Sequence, residues 1–111
     1  MSRRREMTLN EYQQLAARTI DKTRSEEDIE KHALLGLSSE VGELLGLYQK
    51  EMQGHEFNVM EAIEEAGDVL WMLSAWCTAN GIHLQDVAVY NEDKRRKRYP
   101  NGFDPARSVR R

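Results

Sequence analysis

Glu40 with Glu43, and Glu65 with Asp68, are acid pairs set three residues apart inside the two most apolar stretches of the chain. A solvated acid is not normally placed there, so these four carboxylates are the first candidates for chemistry. Spacing alone says little, because 19 acidic residues in 111 give about three such pairs by chance, and Glu27/Glu30 and Glu61/Glu64 share the same spacing. Mutual symmetry says more. Glu40 with Asp68, and Glu43 with Glu65, are both centred on Gly54, so two antiparallel helices folding back near Gly54 bring all four acids to one level.

Four close carboxylates repel, and partial burial raises their pKa values and costs stability unless something positive sits among them. A cation is the simplest remedy. Oxygen donors without a His or Cys suit a hard ion, and Mg²⁺ takes one or two carboxylates together with substrate phosphates, so the pattern reads as phosphate chemistry with Mg²⁺, or Mn²⁺ as a substitute. The plain alternative is ordinary surface salt bridges to Lys50 and the Arg/Lys clusters. A di-iron carboxylate bundle needs a His three residues after a Glu, and His32, His55 and His83 all lack one.

The elements that must position these acids are helical. Thr8 with Glu11 forms a capping-box pattern, and Leu9, Tyr12, Leu15, Ala16 and Ile20 recur at helical spacing up to the polar stretch around Thr23 to Ser25. A second, long helix is expected from near Glu26 to Ile29 through to Gly54, with Leu34, Leu37, Val41, Leu44, Leu45, Tyr48 and Met52 as its core stripe. Glu40 and Glu43 lie beside that stripe. Gly36, Gly42 and Gly46 inside this helix imply close approach of a neighbouring backbone or ligand. Asn58 caps a third helix that runs to the Asn80-Gly81 stop, with Ile63, Ala66, Leu70, Leu73 and Cys77 inward and Glu61, Glu65 and Asp68 on a separate face. A fourth helix from about Leu84 carries Val87 and Tyr90 inward and ends before Pro100. The expected architecture is all-α and bundle-like, with a long antiparallel central pair.

Composition agrees with one helical domain over residues 1–111, with loose ends at 1–7 and 104–111: hydrophobic residues make up 40% and charged residues 32%, with two prolines. A single Cys77, no signal peptide and no apolar run of about 18 residues point to a reducing, cytoplasmic setting and no membrane. The net charge of -3 gives no overall attraction to nucleic acid, although basic residues cluster at Arg3 to Arg5, Lys94 to Arg98 and Arg107 to Arg111.

Several ordered motifs carry a resemblance to the MazG-like nucleoside triphosphate pyrophosphohydrolases of the all-α NTP pyrophosphatase superfamily. Residues 36–44, from Gly36 through Glu40, Val41 and Glu43 to Leu44, resemble the family's first acidic motif, and residues 64–71, from Glu64 through Glu65 and Asp68 to Trp71, its second. Asn91 to Phe103 resembles the segment that follows, and Leu9 to Gln13 a family start. Ala66 stands where the family often has a larger apolar residue, and Ser38-Ser39 at a variable spot. The resemblance implies hydrolysis of a nucleoside triphosphate to the monophosphate and pyrophosphate, in the house-cleaning of nucleotide pools, with Mg²⁺ held by Glu40, Glu43, Glu65 and Asp68. It also implies a homodimer or a dimer of dimers whose partner completes each site. A metal neutralises phosphate charge and lowers the pKa of an attacking water, and Glu43, by position, is the carboxylate expected to take that water's proton.

Other residues are weaker candidates. Lys94 and Asn91 lie a turn apart and suit phosphate and ribose, with Arg98 beside them. Trp71 offers a stacking face, although a Trp at helical spacing is more often core or interface; Lys50 shares Glu43's direction and could reach a phosphate or pair with an acid. The rival function is a non-catalytic helical interaction module with a basic C-terminal segment for a partner.

Overall fold

The computed structural model describes residues 5–109, and Arg3, Arg4, Arg110 and Arg111 of the terminal basic clusters lie outside the described residues. Five helices follow one another: α1 (Leu9–Ala17), α2 (Glu26–Met52), α3 (Val59–Ala79), α4 (Leu84–Arg98) and α5 (Pro105–Val109). The all-α architecture with a long antiparallel central pair is present, α2 against α3, with α1 on α3 and α4 on α1. None of the helices is long and apolar enough to cross a membrane, among the described residues.

Local chemistry explains most helix ends. Thr8 and Glu11 close a reciprocal capping box, Ser25 accepts from the Asp28 amide, and Asn58 accepts from the Met60 and Glu61 amides. At the other ends Gly54 (φ 97°) and Gly81 (φ 67°) take the left-handed conformation that side chains disfavour. Their neighbours complete two Schellman turns: the His55 amide donates to Lys50 O at 3.0 Å and the Ile82 amide to Cys77 O at 2.8 Å. α1 stops earlier than its apolar spacing suggests, leaving Ile20 beyond it. The Thr19 hydroxyl donates to Ala16 O at 2.9 Å, and Asp21 then winds the chain into a turn by accepting from the Thr23 amide and hydroxyl. Over the expected loose tail the chain forms the short α5, with Asp104 accepting from the Ala106 amide.

Packing departs from the sequence reading in one respect that matters for the site. The stripe assigned to the core of α2 is largely bare: Val41 is 39% exposed, Leu34 48%, Tyr48 51%, Leu45 62% and Met52 89%. Leu37 and Leu44 of that stripe are half-buried as expected, but the half-buried face of α2 continues from them through Gly36, Glu40 and Leu47, with Ala33 fully buried, about 100° round the helix from the bare residues. Glu40 therefore sits in the α2–α3 seam. On α3 the inward face is likewise rotated in the first turns, for Ile63 and Ala66 are exposed while Ala62, Glu65 and Val69 are half-buried, and Ser74, Ala75 and Cys77 are buried further along. Tyr90 is 77% exposed rather than inward, because α4 docks through buried Leu84 and leaves its later turns free. Gln13 fixes that docking: its amide nitrogen donates to Ile82 O and its oxygen accepts from the Leu84 amide, both at 2.8 Å. The radius of gyration, 17.3 Å, exceeds the roughly 13 Å of a compact chain of this size, as the bare stripe and projecting α4 require.

Candidate active site

The register of the seam follows from the Gly54 turn. Gly36 of α2 lies so close to Met72 of α3 that a Cβ there would come within 2.6 Å of the Met72 sulfur, and one turn along Glu40 faces Asp68. Carboxylate oxygens of Glu40, Glu65 and Asp68 lie within 4.8 Å of one another. Oxygens on opposite sides of one bound ion are about 4 Å apart for Mg²⁺ and about 5 Å for Ca²⁺, so the trio spans a single hard divalent cation with small side-chain adjustment. Glu40 and Glu65 are half-buried and Asp68 is exposed, leaving one side open to solvent and to a ligand.

Electrostatics mark the same place. Burial first, then the charges of Asp68, Glu43, Glu40 and Glu64, push the Glu65 carboxyl above the usual carboxylate range. Among the described residues the ion pairs are Arg24–Asp21, Lys31–Glu27, Arg96–Glu92 and Arg107–Asp104, and none involves the four acids. Ordinary salt bridging therefore does not account for the cluster. A cation bound between the helices would relieve the repulsion, and an all-oxygen donor set fits a hard ion.

The remaining expected site residues are placed unequally. Glu43, exposed and one turn along α2, stands outside the converging trio but near enough for its charge to act on Glu65. Trp71, one turn beyond Asp68, is half-buried and its indole N–H donates to the Thr19 hydroxyl at 2.9 Å. Lys50 is exposed in the last turn of α2, about 10 Å along the helix from Glu43. Asn91 and Lys94 are exposed on α4 and Arg98 is half-buried. Lys94 and Arg98 line an open cleft between α4 and α5 with Tyr90, Lys97 and Arg107, a cleft that none of the four acids lines. One residue was missed by the sequence reading: Tyr12, seen there only as an apolar repeat position, is half-buried, and burial and then the Asp68 charge push its phenol up, so it keeps its proton. Nothing in local spacing could reveal this, since it depends on α1 docking on α3.

Among curated proteins and among solved structures, none matches the chain. Residues 29–103 match the MazG nucleotide pyrophosphohydrolase domain, a span that contains both acid pairs and the whole α2–α3 seam. With its converging carboxylates on that seam and most of its length matched, the chain belongs to the MazG nucleotide pyrophosphohydrolase family.

Proposed function

We propose that the chain hydrolyses a nucleoside triphosphate to the nucleoside monophosphate and pyrophosphate, using Mg²⁺ held by Glu40, Glu65 and Asp68 with Glu43 at its edge. The observation that carries this reading is the convergence of three carboxylates, without a cationic partner among the described residues, at the centre of a seam in a chain of this family. When bound, the ion supplies neutralisation of phosphate charge and a more acidic water. Glu43, outside the trio, keeps a carboxylate free to accept the proton of the attacking water. Mn²⁺ would serve as a substitute, having the same preference for oxygen donors.

The substrate's remaining negative charge calls for cations, and the chain's own Lys94 and Arg98 line the α4–α5 cleft, which none of the four acids lines, with Asn91 a turn before Lys94 on α4. The reading is therefore a homodimer, or a dimer of dimers, in which a second copy covers the bare stripe of Leu34, Val41, Leu45, Tyr48 and Met52 and brings basic side chains to the phosphates. Leu45→Glu should convert the assembly to monomers in sedimentation, with loss of turnover; a wild-type protein that is monomeric at micromolar concentration would refute the dimer. A reducing cytoplasm suits a chain whose one cysteine, Cys77, is buried and free.

The reaction is tested by product identity. Purified protein is incubated with canonical and modified nucleoside triphosphates, with Mg²⁺ and with chelator. Equal release of monophosphate and pyrophosphate that the chelator abolishes is expected. Release of orthophosphate and diphosphate, or no metal-dependent turnover of any substrate, would overturn the proposal.

A further inference from the structure

Beyond Gly36 and Met72 the same seam opens into a small cavity of about 260 Å³, bounded by Trp71 and Ala75 of α3, Ile29 and His32 of α2, and the α1–α2 connection at Thr19 and Arg24. Its position relative to the acids follows from helix geometry. Asp68 and Ala75 are seven residues apart and share one strip of α3, with Trp71 beside them, while Glu40 and Ile29 are eleven apart and share one strip of α2. Cavity and acid cluster thus lie along one seam, offset by about 5 to 11 Å along α3 (Trp71 and Ala75 from Asp68) and by about 12 to 17 Å along α2 (His32 and Ile29 from Glu40) at 1.5 Å rise per residue. A ribose and a phosphate bridge such a distance.

The size and walls of the cavity restrict its occupant. It falls just below the roughly 300–1,000 Å³ of pockets that enclose whole drug-sized ligands, so it suits a single flat ring system. Ile20, Ile29 and Ala75 supply apolar walls, and Thr19, His32 and the Asp21–Arg24 ion pair, at 3.4 Å, supply polar edges. Trp71 is not free to swing: its N–H is held by the Thr19 hydroxyl at 2.9 Å, and that hydroxyl in turn donates to Ala16 O at 2.9 Å. A tethered indole is a preorganised stacking face, with the ordering cost already met by the fold.

We propose that this cavity receives the base of the nucleotide whose phosphates the acid cluster holds, with Trp71 as the stacking face and the α1–α2 connection as its polar rim. The proposal rests on the pyrophosphohydrolase reading above and adds to it the residues that select the base. It makes Thr19, Arg24, Ile29 and His32, which no acidic motif contains, the positions where base preference is decided.

The test is calorimetry with Mg²⁺ and two kinds of ligand: non-hydrolysable α,β-methylene triphosphates carrying each of the four bases, and inorganic tripolyphosphate, which has no base. At least one analogue should bind wild-type protein about tenfold or more tightly than tripolyphosphate. Trp71→Leu should weaken that analogue by roughly 5- to 150-fold, the range for losing a base-stacking aromatic, and leave tripolyphosphate unchanged. Because Trp71→Leu also removes the tether to Thr19, Ile29→Phe fills the cavity from the other wall with that bond intact, and should produce the same selective loss. Equal weakening of both ligands in both variants, or no weakening of the analogue in either, overturns the base pocket. Wild-type protein that binds neither ligand in a Mg²⁺-dependent way overturns the pyrophosphohydrolase reading itself, a result separable from the first because it appears before any substitution.

Discussion

The α2–α3 seam and the α4–α5 arm are both helical and both highly charged, yet they are built on opposite terms. In the seam, charges of one sign are drawn between two packed helices, Glu40 and Glu65 half-buried and the Glu65 carboxyl pushed up by burial and its acidic neighbours. In the arm, charges of the other sign stand mostly in solvent on turns of α4 that follow its docking at Leu84. Three like charges held together cost stability that a bound cation would relieve; a solvated basic face costs little. On the proposed reading the seam is where an ion would bind, and the arm is where a partner or substrate would be met.

The sharpest way to break this comparison is to remove charge from each region in turn. Asp68→Asn should lower turnover by at least about 100-fold, since even residues that merely support a metal ligand are worth 10- to 100-fold. Lys94→Ala should cost only about tenfold, as expected for one charge-assisted hydrogen bond to phosphate. Steady-state kinetics on one substrate decides the matter, and equal losses in the two variants would erase the distinction between seam and arm. Gly36→Val probes the seam's packing without touching its charge. The 2.6 Å approach is to Sδ and Cε at the flexible end of Met72, which can swing aside, and removing an interior helix glycine offsets part of the crowding, so the branched residue should change stability by less than about 1 kcal/mol in denaturant unfolding.

A smaller effect lies in the pH dependence of the metal-free protein. Glu65 binds its proton more tightly folded than unfolded, so its penalty is absent below the unfolded carboxylate range and grows as pH rises through the raised folded value. Without metal, Glu65→Gln should therefore melt higher than wild type at about pH 7, with the difference vanishing near about pH 4. Added Mg²⁺ should close the gap at neutral pH by stabilising wild type alone.

How far the sequence led depends on which interactions decide each feature. Gly54, Gly81, Thr8 and Asn58 act within a few residues of themselves, so helix ends and the seam's register could be read directly, and with them the facing of Glu40 and Asp68. The rotation of α2 could not. An apolar stripe such as Leu34, Val41, Leu45, Tyr48 and Met52 has the same spacing whether its own chain or another molecule covers it, and here its own chain does not. Tyr90 misled for the same reason. Tyr12 near Asp68 and the tether between Trp71 and Thr19 depend on how α1 lies against α3, which no local pattern encodes. Ile20 kept helical spacing although α1 ends at Ala17, because the Thr19 hydroxyl competes for a backbone carbonyl.

The central claim is that Glu40, Glu65 and Asp68 together hold one hard divalent cation in the seam. Titration calorimetry of Mg²⁺ into wild-type protein, Asp68→Asn and Lys94→Ala tests it most directly. The account predicts saturable binding to wild type and Lys94→Ala and none to Asp68→Asn at the same concentrations; undiminished binding to Asp68→Asn would contradict it.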